Sequence, residues 1–171
     1  MAILNGTFSK WAAEGRKTED GDTEKAWKKY LPSDIKLQPS DFDFLCDNTR
    51  VRDYKEIVRI SNFNLVASDT KGPDAIKIID TRLDVTYDLG HIPSSINIPF
   101  VKMLNPDKTF KSEDKLREIF INAGISKPES QPIILSCNRG ISACVLDAAL
   151  RLLGNPNVSV YDGSFEEYAR K

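Results

Sequence analysis

The chain has 171 residues, enough for one domain with its own core plus an extra segment and too few for two average domains. Hydrophobic residues make up 40% and charged residues 29%, an ordinary globular balance that argues against a disordered or membrane-spanning chain. The net charge is -1, and the one short basic cluster, Lys25, Lys28 and Lys29 beside Glu24, reads as a solvated face, so neither nucleic acid nor a membrane is an expected partner.

In chain order, residues 1–6 carry no positive n-region and too short an apolar run for a signal peptide. The protein is therefore expected inside the cell, in the cytoplasm or the mitochondrion. The first 48 residues differ from the rest. They are rich in Asp, Glu and Lys from Glu14 to Lys29 and then carry Pro32, Pro39 and Ser40, which suits a linker and places a boundary near Asn48. Residues 3–11 (ILNGTFSKW) also repeat the pattern of 160–168 (VYDGSFEEY). Both read as a last strand, a tight glycine turn and a terminal helix. Residues 1 to about 17 are thus expected to be the tail of a preceding copy, with no sheet of their own, packing loosely or against a neighbouring molecule.

Beyond the boundary, 53–61 reads as a helix. Short apolar runs at 75–80 (AIKIID), 95–98 (SINI), 132–136 (PIILS) and 157–162 (NVSVYD) do not alternate, as expected of parallel strands buried on both faces. Between the second and third runs, 112–123 reads as an amphipathic helix, with Ser112 as N-cap, Glu113 and Asp114 in its first turn and Gly124 after its end. A second amphipathic pattern places Ile141, Cys144, Val145, Ala148, Ala149, Leu152 and Leu153 on one broad stripe ended by Gly154 and Pro156. Alternating strands and helices predict an α/β fold, a central parallel sheet with helices on both faces and right-handed crossovers.

Three cysteines, Cys46, Cys137 and Cys144, have no C-x-x-C spacing, so neither a disulfide framework nor a zinc site is expected, and no cofactor is implied. The single histidine, His91, precedes Ile92-Pro93 in a turn and reads as structural. Cys137 differs from the other two cysteines because it sits between a buried strand and a helix start, followed by Asn138, Arg139 and Gly140. Ligands of α/β sheets bind at this edge, and a thiol there faces free N–H groups of a helix N-terminus. An ordinary cysteine is only about 3% thiolate at neutral pH, whereas lowering its pKa to about 6.5 makes it about 75% thiolate. Arg139 adds positive charge and Gly140 lets the backbone turn its N–H groups inward.

This loop, with Asp80-Thr81-Arg82, Gly90-His91-Ile92-Pro93 and Tyr161-Asp162-Gly163-Ser164-Phe165, resembles the rhodanese family, most closely the C-terminal catalytic domain of tandem thiosulfate or 3-mercaptopyruvate sulfurtransferases. The resemblance implies a rhodanese-like fold for residues 49–171, a linker over 31–48 and, over 1–30, a remnant like the end of an upstream rhodanese domain. It also implies that Cys137 takes sulfur from a small-molecule donor as a persulfide and passes it to a thiol, cyanide or a protein acceptor. By the same likeness the N–H groups of Asn138, Arg139, Gly140, Ile141, Ser142 and Ala143 and the Ser142 hydroxyl would steady the sulfur. Arg139 would hold the donor's anionic end, and Arg82, paired with Asp80, stands at the right edge to touch a substrate. Cys144 is expected in the core.

Two rivals follow from the same residues. A cysteine phosphatase or arsenate reductase needs an arginine where this loop has Ala143, so a phosphoryl dianion would lose its clamp. A non-catalytic docking domain of this kind commonly lacks the cysteine that is present here. As for the donor, the loop keeps the second of two basic positions of thiosulfate-type loops, and Thr86 stands where tandem enzymes carry a further arginine. One lost anion clamp weakens donor binding by about tenfold to a hundredfold. Thiosulfate is still expected over 3-mercaptopyruvate, and a protein persulfide is an expected alternative donor.

Overall fold

A computed structural model describes residues 4–21, 48–67 and 75–171. The basic cluster at Lys25, Lys28 and Lys29, the linker residues Pro32, Pro39 and Ser40, and Cys46 lie outside the described residues. Five strands, β1 (Val51–Arg52), β2 (Lys77–Asp80), β3 (Ile96–Asn97), β4 (Ile133–Ser136) and β5 (Val158–Tyr161), form one parallel sheet in the order β1-β5-β4-β2-β3. Among the described residues six α-helices accompany them: α1 (Thr7–Ala13), α2 (Tyr54–Val66), α3 (Asp84–Asp88), α4 (Glu113–Asn122), α5 (Ala143–Leu152) and α6 (Ser164–Arg170).

The non-alternating strand runs are explained by two cores, one on each face of the sheet. Ile79, Ile133, Leu135, Cys137 and Val158 pack with Leu116 and Phe120 of α4 and Leu146, Ala149 and Leu150 of α5. Ile78, Ile134 and Tyr161 point the other way, to Ile57 and Ile60 of α2, with Phe165 and Tyr168 of α6 packed against them. All four residues of β4 are buried, as a strand in the middle of a two-sided sheet requires. A parallel strand cannot return through a tight turn, so helices carry the crossovers and end up covering both faces.

The helix boundaries follow local chemistry. At the start of α2 the Asp53 carboxylate accepts from the Glu56 N–H at 2.9 Å while Glu56 accepts from the Asp53 N–H at 3.2 Å, a reciprocal capping box. Gly124 and Gly154, at φ 89° and 85°, end α4 and α5 in the left-handed conformation that glycine adopts without strain.

The two segments that repeat in sequence share part of their local geometry, although Gly6 has φ 101° and Gly163 φ -59°. Helices α1 and α6 each have seven residues and each opens on a residue with positive φ, Thr7 at 61° and Ser164 at 51°. Residues 4–10 touch the rest of the chain through two exposed polar contacts. The Phe110 N–H donates to Asn5 Oδ1 at 3.0 Å and Lys10 pairs with Asp107 at 2.9 Å, although α1 buries none of its side chains.

Candidate active site

Neighbours β2 and β4 send their chains in opposite directions, β2 to β3 at one edge and β4 to β5 on its other side. A crevice opens at such a switch point, beyond the carboxyl ends of the strands. Thr81 follows β2 there and Cys137 follows β4. Asn138 to Ser142 form the loop that leads into α5, and Cys137 is only 3% exposed at its base.

Four donors converge on the sulfur. Burial of the thiol pushes its pKa up, but hydrogen bonds from the Ser142 hydroxyl and from the backbone N–H groups of Ala143, Arg139 and Ser142 outweigh it. The pKa of Cys137 therefore lies below its ordinary value. Two of these N–H groups belong to the first turn of α5 and its cap, which have no carbonyl partner four residues back. They are free to bind an anion.

The loop is held from outside by the turn between β5 and α6. Ser164 is fully buried, and its Oγ accepts from the N–H groups of Cys137 at 3.2 Å and Gly140 at 2.9 Å while donating to the Tyr161 carbonyl at 2.8 Å. The N–H groups of Phe165 and Glu166 donate to the carbonyls of Cys137 and Asn138 at 3.0 and 3.1 Å. Gly140 has φ 81°, and a Cβ there would come within 3.1 Å of the Asp162 carbonyl oxygen, so glycine is needed both for conformation and for space. Thr81, also fully buried, brings Oγ1 to 3.1 Å from Ser142 Oγ.

Several expectations need correction. The Gly140 N–H faces Ser164, not the sulfur. Arg82 is not available to a donor: it chelates Asp80 through Nε and a terminal nitrogen, donates to the Gly90 carbonyl at 2.7 Å and lies 4.0 Å beneath the Phe165 ring. Its charge is consumed in joining the Asp80-Thr81-Arg82, Gly90-His91 and Ser164-Phe165 segments into one knot. Arg139 is exposed and paired with Glu166, which also takes Arg170. Asn138 is exposed and Ile141 is 79% exposed on the loop. Cys144 is exposed as well, because the buried stripe of α5 runs through Ala143, Leu146, Ala149 and Leu150 and misses it by one position. His91 stacks on Tyr87 at 3.9 Å, away from the chemistry. Thr81, Ser164 and Glu166 have no role in the sequence reading, although the first two lie inside its motifs.

Among the described residues no group of histidine, cysteine and carboxylate side chains is arranged to hold a metal, and no helix is long and apolar enough to cross a membrane. Chemically the site is a buried thiol of lowered pKa in a ring of neutral donors, with no arginine at Ala143. It suits a nucleophile that accepts a small, weakly charged atom better than one that binds a phosphoryl dianion.

Comparison with known proteins agrees. A family model described as a Rhodanese-like domain matches residues 65–171, more than half of the chain. Thiosulfate sulfurtransferase of Rattus norvegicus is 30% identical over 100% of this chain and 54% of its own length. A probable 3-mercaptopyruvate sulfurtransferase of Schizosaccharomyces pombe is 30% identical over 99% of this chain and 55% of its own. The crystal structure of SseA from Escherichia coli, described as having the rhodanese fold of 3-mercaptopyruvate sulfotransferases, matches with a TM-score of 0.70 at 26% identity, over 96% of this chain and 56% of that one. The chain spans about half the length of the curated relatives it matches. With its parallel sheet, its loop after β4 and the knot of motifs around Arg82 in place, the chain belongs to the rhodanese family.

Proposed function

We propose that this chain is a sulfurtransferase that carries sulfane sulfur as a persulfide on Cys137, taking thiosulfate in preference to 3-mercaptopyruvate. The single observation behind the reading is the ring of donors from Arg139, Ser142 and Ala143 around a buried sulfur whose pKa they lower. The Cys137 thiolate attacks the outer sulfur of thiosulfate, an S–S bond forms, the old S–S bond breaks, and sulfite leaves with the electron pair. The outer sulfur then passes to a thiol, to cyanide or to a protein acceptor, which restores the thiolate. The same N–H groups that hold the thiolate suit the persulfide anion, since the negative charge moves by only one atom. The transferred atom carries no phosphoryl-like charge, so Ala143 is no defect.

Arg139 is the cation for the donor's anionic end, and its pairing with Glu166 makes that clamp weak. A small-molecule donor therefore binds poorly, and a protein persulfide is the alternative donor. Residues 1 to about 17 correspond to the end of a preceding domain copy, which the matched seven-residue helices α1 and α6 support. A reducing setting in the cytoplasm or the mitochondrion suits a free thiol as the working group.

Intact-mass spectrometry after incubation with thiosulfate tests the reading. The parent is expected to gain the mass of one sulfur, removable by cyanide, and Cys137→Ser to gain none while keeping its fold. Sulfite release by the Cys137→Ser variant at the parent rate would overturn the mechanism.

A further inference from the structure

Ser142 has one hydroxyl proton and two neighbours that compete for it, the Cys137 sulfur and Thr81 Oγ1 at 3.1 Å. If Ser142 donates to the sulfur, it has to accept from Thr81. We propose that Thr81 is a positioning residue whose hydroxyl donates to Ser142 Oγ and thereby aims the Ser142 proton at Cys137 Sγ.

Thr81 is built to hold that orientation. It has no exposed surface, and its backbone is pinned on both sides: its N–H donates to the Ser136 carbonyl at 2.8 Å and its carbonyl accepts from the Phe100 N–H at 3.0 Å. A β-branched side chain on a fixed backbone has little rotamer freedom, so the hydroxyl stays in place. Ser142, in contrast, caps α5 without using its side chain as a cap, which leaves its hydroxyl for the pair. The two hydroxyls adapt to the charge of the sulfur. With a thiolate or a persulfide anion present, both protons point towards sulfur, each bond polarising the next. With a neutral thiol Ser142 can turn its proton to Thr81 Oγ1 only by depriving the buried Thr81 proton of its acceptor, so the pair favours the anionic sulfur.

The charged groups around the sulfur are the Arg139–Glu166 pair on the loop side, the Asp80–Arg82 pair next to Thr81, Asp162 behind Gly140, and Cys144 on α5. None of them touches the Thr81 hydroxyl, so removing it changes the hydrogen-bond chain and not the local charge.

This inference rests on the sulfur-transfer reading for its consequence, but its test does not need turnover. The pH dependence of Cys137 alkylation by iodoacetamide, followed by peptide mass mapping, reports the thiolate directly. Thr81→Val is expected to raise the apparent pKa of Cys137 by about half a unit to one unit, a roughly threefold to tenfold slower alkylation near neutral pH. Thr81→Ala should do the same despite its smaller volume, and Thr81→Ser should restore the parent profile. In a Ser142→Ala background Thr81→Val should add nothing, because the relay is already cut. A parent-like profile in Thr81→Val or Thr81→Ala, or an undiminished shift in the Ser142→Ala background, would overturn the proposal. A shifted profile in a protein that forms no persulfide would instead uphold the relay and sink the sulfur-transfer reading.

Discussion

The turn at Asp162–Ser164 and the turn at Asn5–Thr7 are near copies in sequence, yet they do different work. Both precede a seven-residue helix and both force a residue after glycine to positive φ. At Ser164 the hydroxyl is fully buried and gathers the N–H groups of Cys137 and Gly140, whereas Thr7 is exposed. The difference is what the turn follows. The later copy hangs from β5, beside β4, and so meets the loop that β4 emits. The earlier copy is held to the body by the Asn5 contact to Phe110 and the Lys10–Asp107 pair. Local sequence sets the helix start and the positive φ after glycine, although Gly6 at φ 101° and Gly163 at φ -59° differ; the neighbouring strand decides whether the turn has anything to hold. The two free thiols among the described residues divide along the same line. Cys137 sits inside the loop that Ser164 grips, and Cys144 lines a small apolar cavity with Leu4, Gly6 and Thr7 on the other side.

The largest effect expected from breaking this contrast is on stability. Ser164→Ala removes the acceptor of two buried N–H groups and should cost about 2–4 kcal/mol, while Thr7→Ala should stay within about 0.5 kcal/mol. Ser164→Gly separates the two contributions at that position, since glycine relieves the positive φ but cannot accept the hydrogen bonds. Urea unfolding decides the point: a Ser164→Gly variant as stable as the parent would show that conformation, not the hydroxyl, is what matters there.

The two thiols predict opposite pH dependences. Cys137 has a folded pKa below its unfolded value of about 8.5, so its thiolate contributes stability fully above that pH and loses it as the pH falls through the folded pKa. Cys144 is the reverse: desolvation of its partly covered sulfur, then Asp147, Cys137 and Asp162, raise its pKa, so its contribution is present at neutral pH and is lost as the pH rises. Unfolding under reducing conditions from pH 6 to about 9.5 should show the parent gaining on Cys137→Ser as pH rises, and losing to Cys144→Ser. Alkylation should also begin at lower pH for Cys137 than for Cys144, although Cys144 is the more exposed. Coincident midpoints for the two thiols would contradict the assignment of donors around Cys137.

Much of this was legible in the sequence where burial is two-sided and long enough to leave a pattern. The runs at 75–80, 132–136 and 157–162 enclose β2, β4 and β5, and the helices α4 and α5 lie inside their expected spans. The run at 95–98 encloses β3 although that strand has two residues, whereas β1, also of two, and α3, of five, have no apolar run around them to mark them and were not legible. The cysteine, its loop and Ser142 are local features and could be read. Ser164 and Thr81 could not be given roles, because each acts on a partner far along the chain, 27 residues away for Ser164 and Cys137 and 61 for Thr81 and Ser142. The pairing of Arg82 with Asp80 could be read from the sequence, but its enclosure could not, for the same reason: nothing in Asp80-Thr81-Arg82 says that Gly90 and Phe165 will surround the guanidinium and keep it from a substrate. Cys144 was misread because the stripe of α5 starts at Ala143, a matter of one position.

The smallest expected effect concerns Glu166, which belongs to the embedded copy and has its counterpart at the exposed Ser9. Glu166 is bound to the loop through its own N–H, which donates to the Asn138 carbonyl at 3.1 Å, and its carboxylate takes both Arg139 and Arg170. Arg139 has 70% of its side chain in solvent, so the pair is a surface ion pair worth roughly 0.2–1 kcal/mol. If Arg139 holds the donor as proposed, an anionic donor has to compete for that guanidinium. Glu166→Gln should therefore lower the KM for thiosulfate by a factor of about 1.5 to 5, with little change in kcat, and Arg139→Ala should raise it. Removing a negative charge near the site would help any anion, so the double variant is the informative one. If Glu166 acts by occupying Arg139, Glu166→Gln gains nothing in an Arg139→Ala background; if it acts by general repulsion, the gain persists. The salt dependence separates the cases further, since repulsion at a distance fades above about 0.15 M salt while the competition for one guanidinium fades less. A full gain in the double variant would mean that Arg139 is not the cation that holds the donor.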